Sequence, residues 1–153
     1  MISHLNKKNK PKIVNISNKK NTQRLAIANG TIQFSKSTFK KIKNLKTKKG
    51  KIESISIIAG ILGAKKTSEL IPLCHNIEIQ DIDIDIKTNE KLSNITITSM
   101  VKSISKTGVE MEALTAVSIA CLTIYDMCKS IDKKIKIKDI SLIKKTGGKS
   151  DLI

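Results

Sequence analysis

Four charged side chains interrupt the otherwise apolar stretch from Thr107 to Lys129, and their types suit proton transfer or the handling of an anion. Glu110 and Glu112 fall in the first turn of a helix, where exposed backbone N–H groups carry partial positive charge; complementing that dipole, worth roughly 0.3 kcal/mol, is their ordinary role. Asp126 and Lys129 stand three apart near the other end, the spacing of an exposed ion pair of small weight. Yet Asp126 has Ile124, Tyr125, Met127 and Cys128 for neighbours, and partial burial would perturb both groups.

Two further segments carry candidate chemistry. Lys65-Lys66-Thr67-Ser68-Glu69-Leu70-Ile71-Pro72-Leu73-Cys74-His75-Asn76 sets a dibasic helix end, a proline corner and a Cys-His pair directly before a strand, a place where sites are often built. His75 is one of two histidines and the one inside the expected folded region; a lone histidine is more often a hydrogen-bonded structural residue than a catalyst. Gly147-Gly148-Lys149-Ser150 imitates the end of a phosphate-binding loop, but Ile143 stands where that motif needs glycine, which excludes it. What remains is a Gly-Gly turn presenting Lys149 beside Lys144 and Lys145, either as phosphate contacts or as a solvated basic tail.

Composition narrows the partners. The chain has 153 residues, enough for one domain with its own core, and a net charge of +16. Only Arg24 among the 29 basic residues is arginine, and there is no Trp, one Tyr and two Phe. Nucleic-acid surfaces favour arginine forks and aromatic platforms, so no specific nucleic acid is expected, and the lysines fit a compositional bias equally well. A cationic surface would still attract a polyanionic small molecule. Cys74, Cys121 and Cys128 are odd in number without Cys-x-x-Cys spacing, which points to reduced thiols in a cytoplasmic protein and argues against a zinc site. No membrane partner is expected, because the apolar run from Ile57 to Ala64 is far short of the ~20 residues that span a bilayer.

The elements that must position these residues follow from periodicity. Residues 1–21 read as a basic, largely flexible arm, and residues 22–153 as a single domain ending in a flexible Gly-Gly-Lys tail. Arg24–Ile27 and Thr31–Phe34 flank Asn29-Gly30, which suits either a tight turn or a bulge within one strand. Ser37 is positioned to cap a short helix through Leu45. A longer helix is expected from Ile52 to Leu70, with Ile55, Ile58, Ala59, Leu62 and Ala64 inward and Gly60 and Gly63 admitting a close neighbour. The apolar phase slips between Ile79 and Ile82, which predicts a bulge or bend near Gln80-Asp81. Ile82, Ile84 and Ile86 then alternate into a hairpin whose return strand carries Ile95, Ile97, Ser99 and Val101. The long helix after Gly108 has Leu114, Val117, Cys121, Leu122, Tyr125, Cys128 and Ile131 along its buried face. Ile135, Ile137, Ile140 and Leu142 form a last strand or strand pair. Strand, helix, strand, strand, helix, strand is a ferredoxin-like α+β order, an antiparallel sheet with helices packed on one face.

Read in order, Lys65 through His75, Lys106 through Ser118, Leu122 through Lys129 and Thr146 through Ser150 closely resemble the cyclic pyranopterin monophosphate synthase family, molybdenum cofactor biosynthesis protein C. The resemblance runs from about Lys12 to Ser150. It implies a lyase without a bound redox cofactor that converts 3′,8-cyclo-7,8-dihydro-GTP to cyclic pyranopterin monophosphate and pyrophosphate. Such an enzyme works downstream of a radical SAM GTP cyclase, as a homohexamer, a trimer of dimers with active sites at subunit contacts. The resemblance places the catalytic Asp at Asp126, its companion Lys at Lys129 and the essential Lys before a glycine at Lys49. Leu73, Cys74 and His75 match the substrate-binding turn, with His75 also a catalytic candidate, and Met111 with Glu112 match the second substrate-binding pair. Arg24, Lys65, Glu110, Lys145 and Lys149 match further site positions. Asn15, Ile57 and Asn76 depart from the family's usual Asp, Arg and Pro, the first two each removing a charge.

That chemistry fits the residue types. Rearranging the nucleotide needs proton transfers, then attack of a ribose hydroxyl on the α-phosphorus with pyrophosphate leaving. Lys49 and Lys129 held together would repel, so at least one would have a lowered pKa and act as a base, with Asp126 orienting it or moving the proton itself. Arg24, Lys65 and the tail lysines would balance the triphosphate, and Glu110 and Glu112 would accept from ring N–H groups. Glu112 and Asp126 are 14 residues apart, about 21 Å along a helix at ~1.5 Å per residue. If both serve one small reacting centre, two subunits share it. The competing classes are a lysine-rich nucleic-acid-binding module and an inactive structural relative.

Overall fold

The computed structural model describes residues 4–6, 8–42, 46–47 and 50–153. Lys49 lies outside the described residues.

β1 (Thr22–Gln33) is one uninterrupted strand, its alternate residues Ala26, Ala28, Gly30 and Ile32 buried. Of the two readings open for Asn29-Gly30, the turn is therefore excluded. Gly30 is there for a different reason: a Cβ at this position would stand 2.5 Å from Val117 Cγ1 and 3.1 Å from Cys121 Sγ, so the glycine lets a helix lie against the strand. The irregularity sits on the other side, where the pairing with β6 shifts between Ile27 and Ala28 and again between Asn29 and Thr31.

α1 (Lys36–Ile42) is capped by Ser35, whose Oγ accepts the Thr38 N–H at 3.2 Å, two residues before the expected Ser37. β2 (Lys46–Thr47) and β3 (Gly50–Lys51) form a two-stranded ladder. The single helix expected from Ile52 to Leu70 is two helices, α2 (Ile52–Lys65) and α3 (Thr67–Leu70). At the break the Thr67 hydroxyl donates to the Ala64 carbonyl at 2.9 Å, a side-chain bond that competes with continued helix.

The inward face of α2 also differs from expectation. Ile52, Ser56, Gly60, Gly63 and Ala64 are buried, whereas Ile58 and Leu62 are 59% and 53% exposed. Packing distance explains the rotation. A Cβ on Gly60 would lie 3.0 Å from the Ala116 carbonyl oxygen, and one on Gly63 would lie 2.7 Å from Ile119 Cγ1. The small residues seat α2 directly on the next long helix, and the larger apolar ones are turned outward.

β4 (Asp81–Asn89) and β5 (Asn94–Ser105) form the hairpin, in register from Asp81↔Lys102 to Asn89↔Asn94. The Gln80 N–H donates to the Lys102 carbonyl at 3.0 Å although Asp81 is already paired with Lys102, so two residues face one. That is the bulge the phase slip required. Ile95, Ile97, Ser99 and Val101 point into the core as expected.

α4 (Glu110–Cys128) buries Ala113, Ala116, Val117, Ala120, Cys121, Ile124, Met127 and Cys128. Leu122 and Ile131, expected on this face, are 54% and 42% exposed. β6 (Lys136–Thr146) is a single strand with Asp139 at φ 58° where its pairing is irregular. The main sheet runs β4-β5-β1-β6, antiparallel throughout, with α2 and α4 on one face, which is the ferredoxin-like α+β arrangement. By length and composition alone α4 would be long enough to cross a membrane, but it is half buried and packs on α2 and the sheet.

Candidate active site

The turn after α3 and the start of α4 build one cleft between them. Pro72 closes the helical stretch, the Cys74 N–H donates to the Ile71 carbonyl at 3.1 Å, and Leu73, Cys74 and His75 are thereby turned toward the first residues of α4. Met111 and Glu112 line the opposite wall of a space of about 130 Å³. Glu112 is only 3% exposed. Its Oε2 and the Nε2 of His75 are both buried without a hydrogen-bond partner among the described residues. Orphaned polar atoms of this kind are rare in native proteins and call for a ligand or water.

Burial pushes the Glu112 carboxyl up to about 7, opposed by a hydrogen bond from its own backbone and reinforced by the charge of Glu110. Cys74 is likewise held above the ordinary thiol value, first by burial and then by Glu112, so it is a neutral wall rather than a nucleophile.

A larger basic cleft of about 430 Å³ adjoins this one, sharing Thr107, Gly108 and Glu110 with it. Arg24, Lys106, Lys145 and Lys149 line it, with Lys19 and Lys20 at its edge. Arg24 Nε donates to the Ser105 carbonyl at 3.2 Å, and Lys145 Nζ lies 3.3 Å from Glu110 Oε1. Gly108 has no Cβ because the Glu110 carboxylate folds over that position. An anion entering here meets several cations and one carboxylate that is already compensated.

The remaining candidates lie apart from the two clefts. Asp126 Oδ1 and Lys129 Nζ are 2.6 Å apart at the far end of α4, both side chains more than half exposed. The hydrogen bond that Lys129 donates to the Asp126 carboxylate, then the charge of that carboxylate, raises the Lys129 pKa, the direction opposite to that expected for a base activated by a neighbouring lysine. Lys65 lines a different groove with Ile61 and Ile79. Among the described residues no three His, Cys, Asp or Glu side chains gather to hold a metal ion.

Some lining residues were not among those singled out from the sequence. Lys106, Thr107 and Gly108 stand two to four residues before Glu110, so their proximity was legible. His4 was assigned to the arm, yet it lines the Glu112 cleft, placed there by a loop in which the Lys12 N–H donates to the His4 carbonyl at 2.8 Å. Of the departures from the family pattern, Asn15 accepts the Ser17 N–H at 2.9 Å, Ile57 is half-buried and Asn76 is exposed.

A ferredoxin-like fold that joins a small acid-bearing cleft to a wide cationic one has the chemistry to hold a small polyanion with a hydrogen-bonding head. The chain belongs to the MoaC family, whose model matches residues 13–148. Among its relatives, a cyclic pyranopterin monophosphate synthase from Clostridium acetobutylicum is 49% identical over 150 residues, covering 98% of this chain and 93% of that protein. Proteins of the same name from Helicobacter hepaticus and Peptoclostridium acidaminophilum are 52% and 49% identical, each covering 97% of this chain and 94% and 93% of their own lengths.

Proposed function

We propose that the chain is a lyase of molybdenum cofactor biosynthesis that converts (8S)-3′,8-cyclo-7,8-dihydroguanosine 5′-triphosphate to cyclic pyranopterin monophosphate and pyrophosphate. The observation that carries this reading is the junction of the two clefts at Thr107, Gly108 and Glu110, with unpartnered His75 Nε2 and Glu112 Oε2 at one end and the cations at the other.

Glu112, poised near neutrality, accepts from an N–H of the guanine-derived ring as a carboxylate and donates to a ring nitrogen or carbonyl as the acid. His75 Nε2 supplies a second polar contact, and Leu73 and Met111 supply apolar ones. Arg24, Lys145 and Lys149 hold the phosphate chain and compensate the charge on the departing pyrophosphate; Lys106 adds to the field. Because Asp126 keeps Lys129 protonated, the pair acts as an acid and a cation, which leaves proton abstraction to Lys49 or to Asp126 itself.

The length of α4 separates Glu112 from the Asp126–Lys129 pair by about 21 Å. The two ends therefore serve neighbouring sites, each completed by a second subunit, in a homohexamer built as a trimer of dimers. Lys65, set away from both clefts, joins a site across the same kind of contact. Exposed Ile58, Leu62 and Leu122 on the helix layer support association. The substrate comes from a radical SAM GTP cyclase, no resident metal or redox cofactor is invoked, and the enzyme works in the cytoplasm. Incubation of the purified chain with the cyclic dihydro-GTP intermediate is expected to yield the pterin and pyrophosphate, and Lys49→Ala and Asp126→Asn are expected to abolish both. No product from the unmodified chain overturns the proposal.

A further inference from the structure

The segment expected as a flexible Gly-Gly-Lys tail folds back on itself. Lys145 and Leu152 exchange two backbone hydrogen bonds, Lys145 N–H to the Leu152 carbonyl at 2.9 Å and Leu152 N–H to the Lys145 carbonyl at 3.0 Å. Lys145 is paired with Ala26 of β1 on its other side, so its backbone is fixed between two neighbours. The reversal begins at Gly147, whose φ of +86° is a left-handed conformation suited to glycine. Two side chains hold that turn. The Asp151 carboxylate accepts the Gly147 N–H at 3.1 Å, and the Thr22 hydroxyl donates to the Gly147 carbonyl at 2.8 Å. The turn also lies against the cation of the cleft wall, since a Cβ on Gly148 would stand 3.1 Å from Arg24 Nη1.

Lys145, Lys149 and Arg24 are therefore set relative to one another by a single closed hairpin, and both of its lysines line the basic cleft. Lys145 already has one anionic partner in Glu110 at 3.3 Å. Its backbone position decides whether Nζ can reach a phosphate as well. We infer that the hairpin closed by Lys145 and Leu152 is a strap that sets the reach of Lys145 and Lys149 for the phosphate chain, with Asp151 and Thr22 as its positioning residues. Neither Asp151 nor Thr22 need touch the ligand; each acts by holding Gly147. The inference rests on the reading of the basic cleft as the phosphate site.

The experiment separates the two. Inorganic pyrophosphate is titrated into the full chain by calorimetry, and kcat and KM for the cyclic dihydro-GTP intermediate are measured for the unmodified protein and for Asp151→Ala, Asp151→Asn and Thr22→Val. Losing one hydrogen bond at the turn is expected to raise the pyrophosphate Kd and the KM together by about fivefold in Asp151→Ala and Thr22→Val, with little change in kcat. Asp151→Asn keeps the accepting oxygen and is expected to stay near the unmodified protein, which rules out both misfolding and simple loss of charge. Pyrophosphate affinity and KM that are unchanged in Asp151→Ala, or an Asp151→Asn variant as weak as Asp151→Ala, overturn the strap while leaving the phosphate site standing. Failure of the unmodified protein to bind pyrophosphate overturns the phosphate site itself.

Discussion

Glu112→Gln is expected to change how the stability of this protein depends on pH, and the sign follows from burial. The side chain is 3% exposed and its carboxyl titrates near 7 in the fold, against 4.5 for an unperturbed glutamate. Between those values the folded state holds a proton that the unfolded chain has released, so stability declines as pH rises through the interval and levels off above the folded pKa. At ~1.4 kcal/mol per pH decade the gap ties about 3 kcal/mol of stability to this one proton. Glutamine keeps the shape and removes the titration. Urea unfolding at one fixed protein concentration, run at pH 5 and pH 8, is the assay. Measured against the unmodified protein, the variant should gain about 2.5 kcal/mol between pH 5 and pH 8, because at pH 5 the unfolded glutamate has already begun to release its proton and the first part of the loss has occurred. A difference between the two proteins that is the same at both pH values would refute the reasoning, because Glu112 would then titrate alike in the folded and unfolded states.

Asp126→Asn should remove at least about 100-fold of product formation, because it dissolves the pair with Lys129, while leaving the thermal midpoint within error, because that pair is exposed. Gly30→Ala should lower stability by about 1–3 kcal/mol in thermal or urea unfolding, because the new methyl meets Val117 and Cys121 on α4. His4→Ala should raise KM for the intermediate with little effect on the unfolding midpoint, since His4 lines the Glu112 cleft from an otherwise exposed arm; an unchanged KM would place it outside the bound complex.

Much of this architecture was legible because the sheet strands alternate cleanly. The isoleucines of β4 and β5 announced both the hairpin and the bulge at Gln80-Asp81. What periodicity did not reveal was which face of α2 would be buried. Ile58 and Leu62 looked like core, but α2 meets α4 through Gly60 and Gly63, and a helix that approaches so closely buries its smallest residues. For Asn29-Gly30 the bulged single strand was one of two readings and is the one that holds, with the pairing to β6 shifting between Asn29 and Thr31; what the pattern did not show is that Gly30 also makes room for the helix above it. Within the candidate site, the Leu73–His75 turn and the first turn of α4 were found from local motifs. The burial that raises Glu112, the delivery of His4 from the arm and the bonds of Asp151 and Thr22 to Gly147 depend on contacts between distant segments, which leave no local signature. Of the two lysines expected to include a lowered pKa, Lys129 is shifted the other way, because Asp126, three residues away on the same helix, stands close enough to hold its proton, and Lys49 lies outside the described residues.

The most direct measurement mixes two defective subunits. Glu112→Ala and Asp126→Asn proteins, each inactive alone, are unfolded together, refolded and assayed for release of pyrophosphate from the cyclic dihydro-GTP intermediate. If Glu112 of one subunit and Asp126 of another complete one site, random assortment restores about a quarter of the unmodified activity, since one intact pairing arises in every four. If both residues act within a single chain, every subunit carries a defect and the mixture stays inactive, which would contradict the shared site.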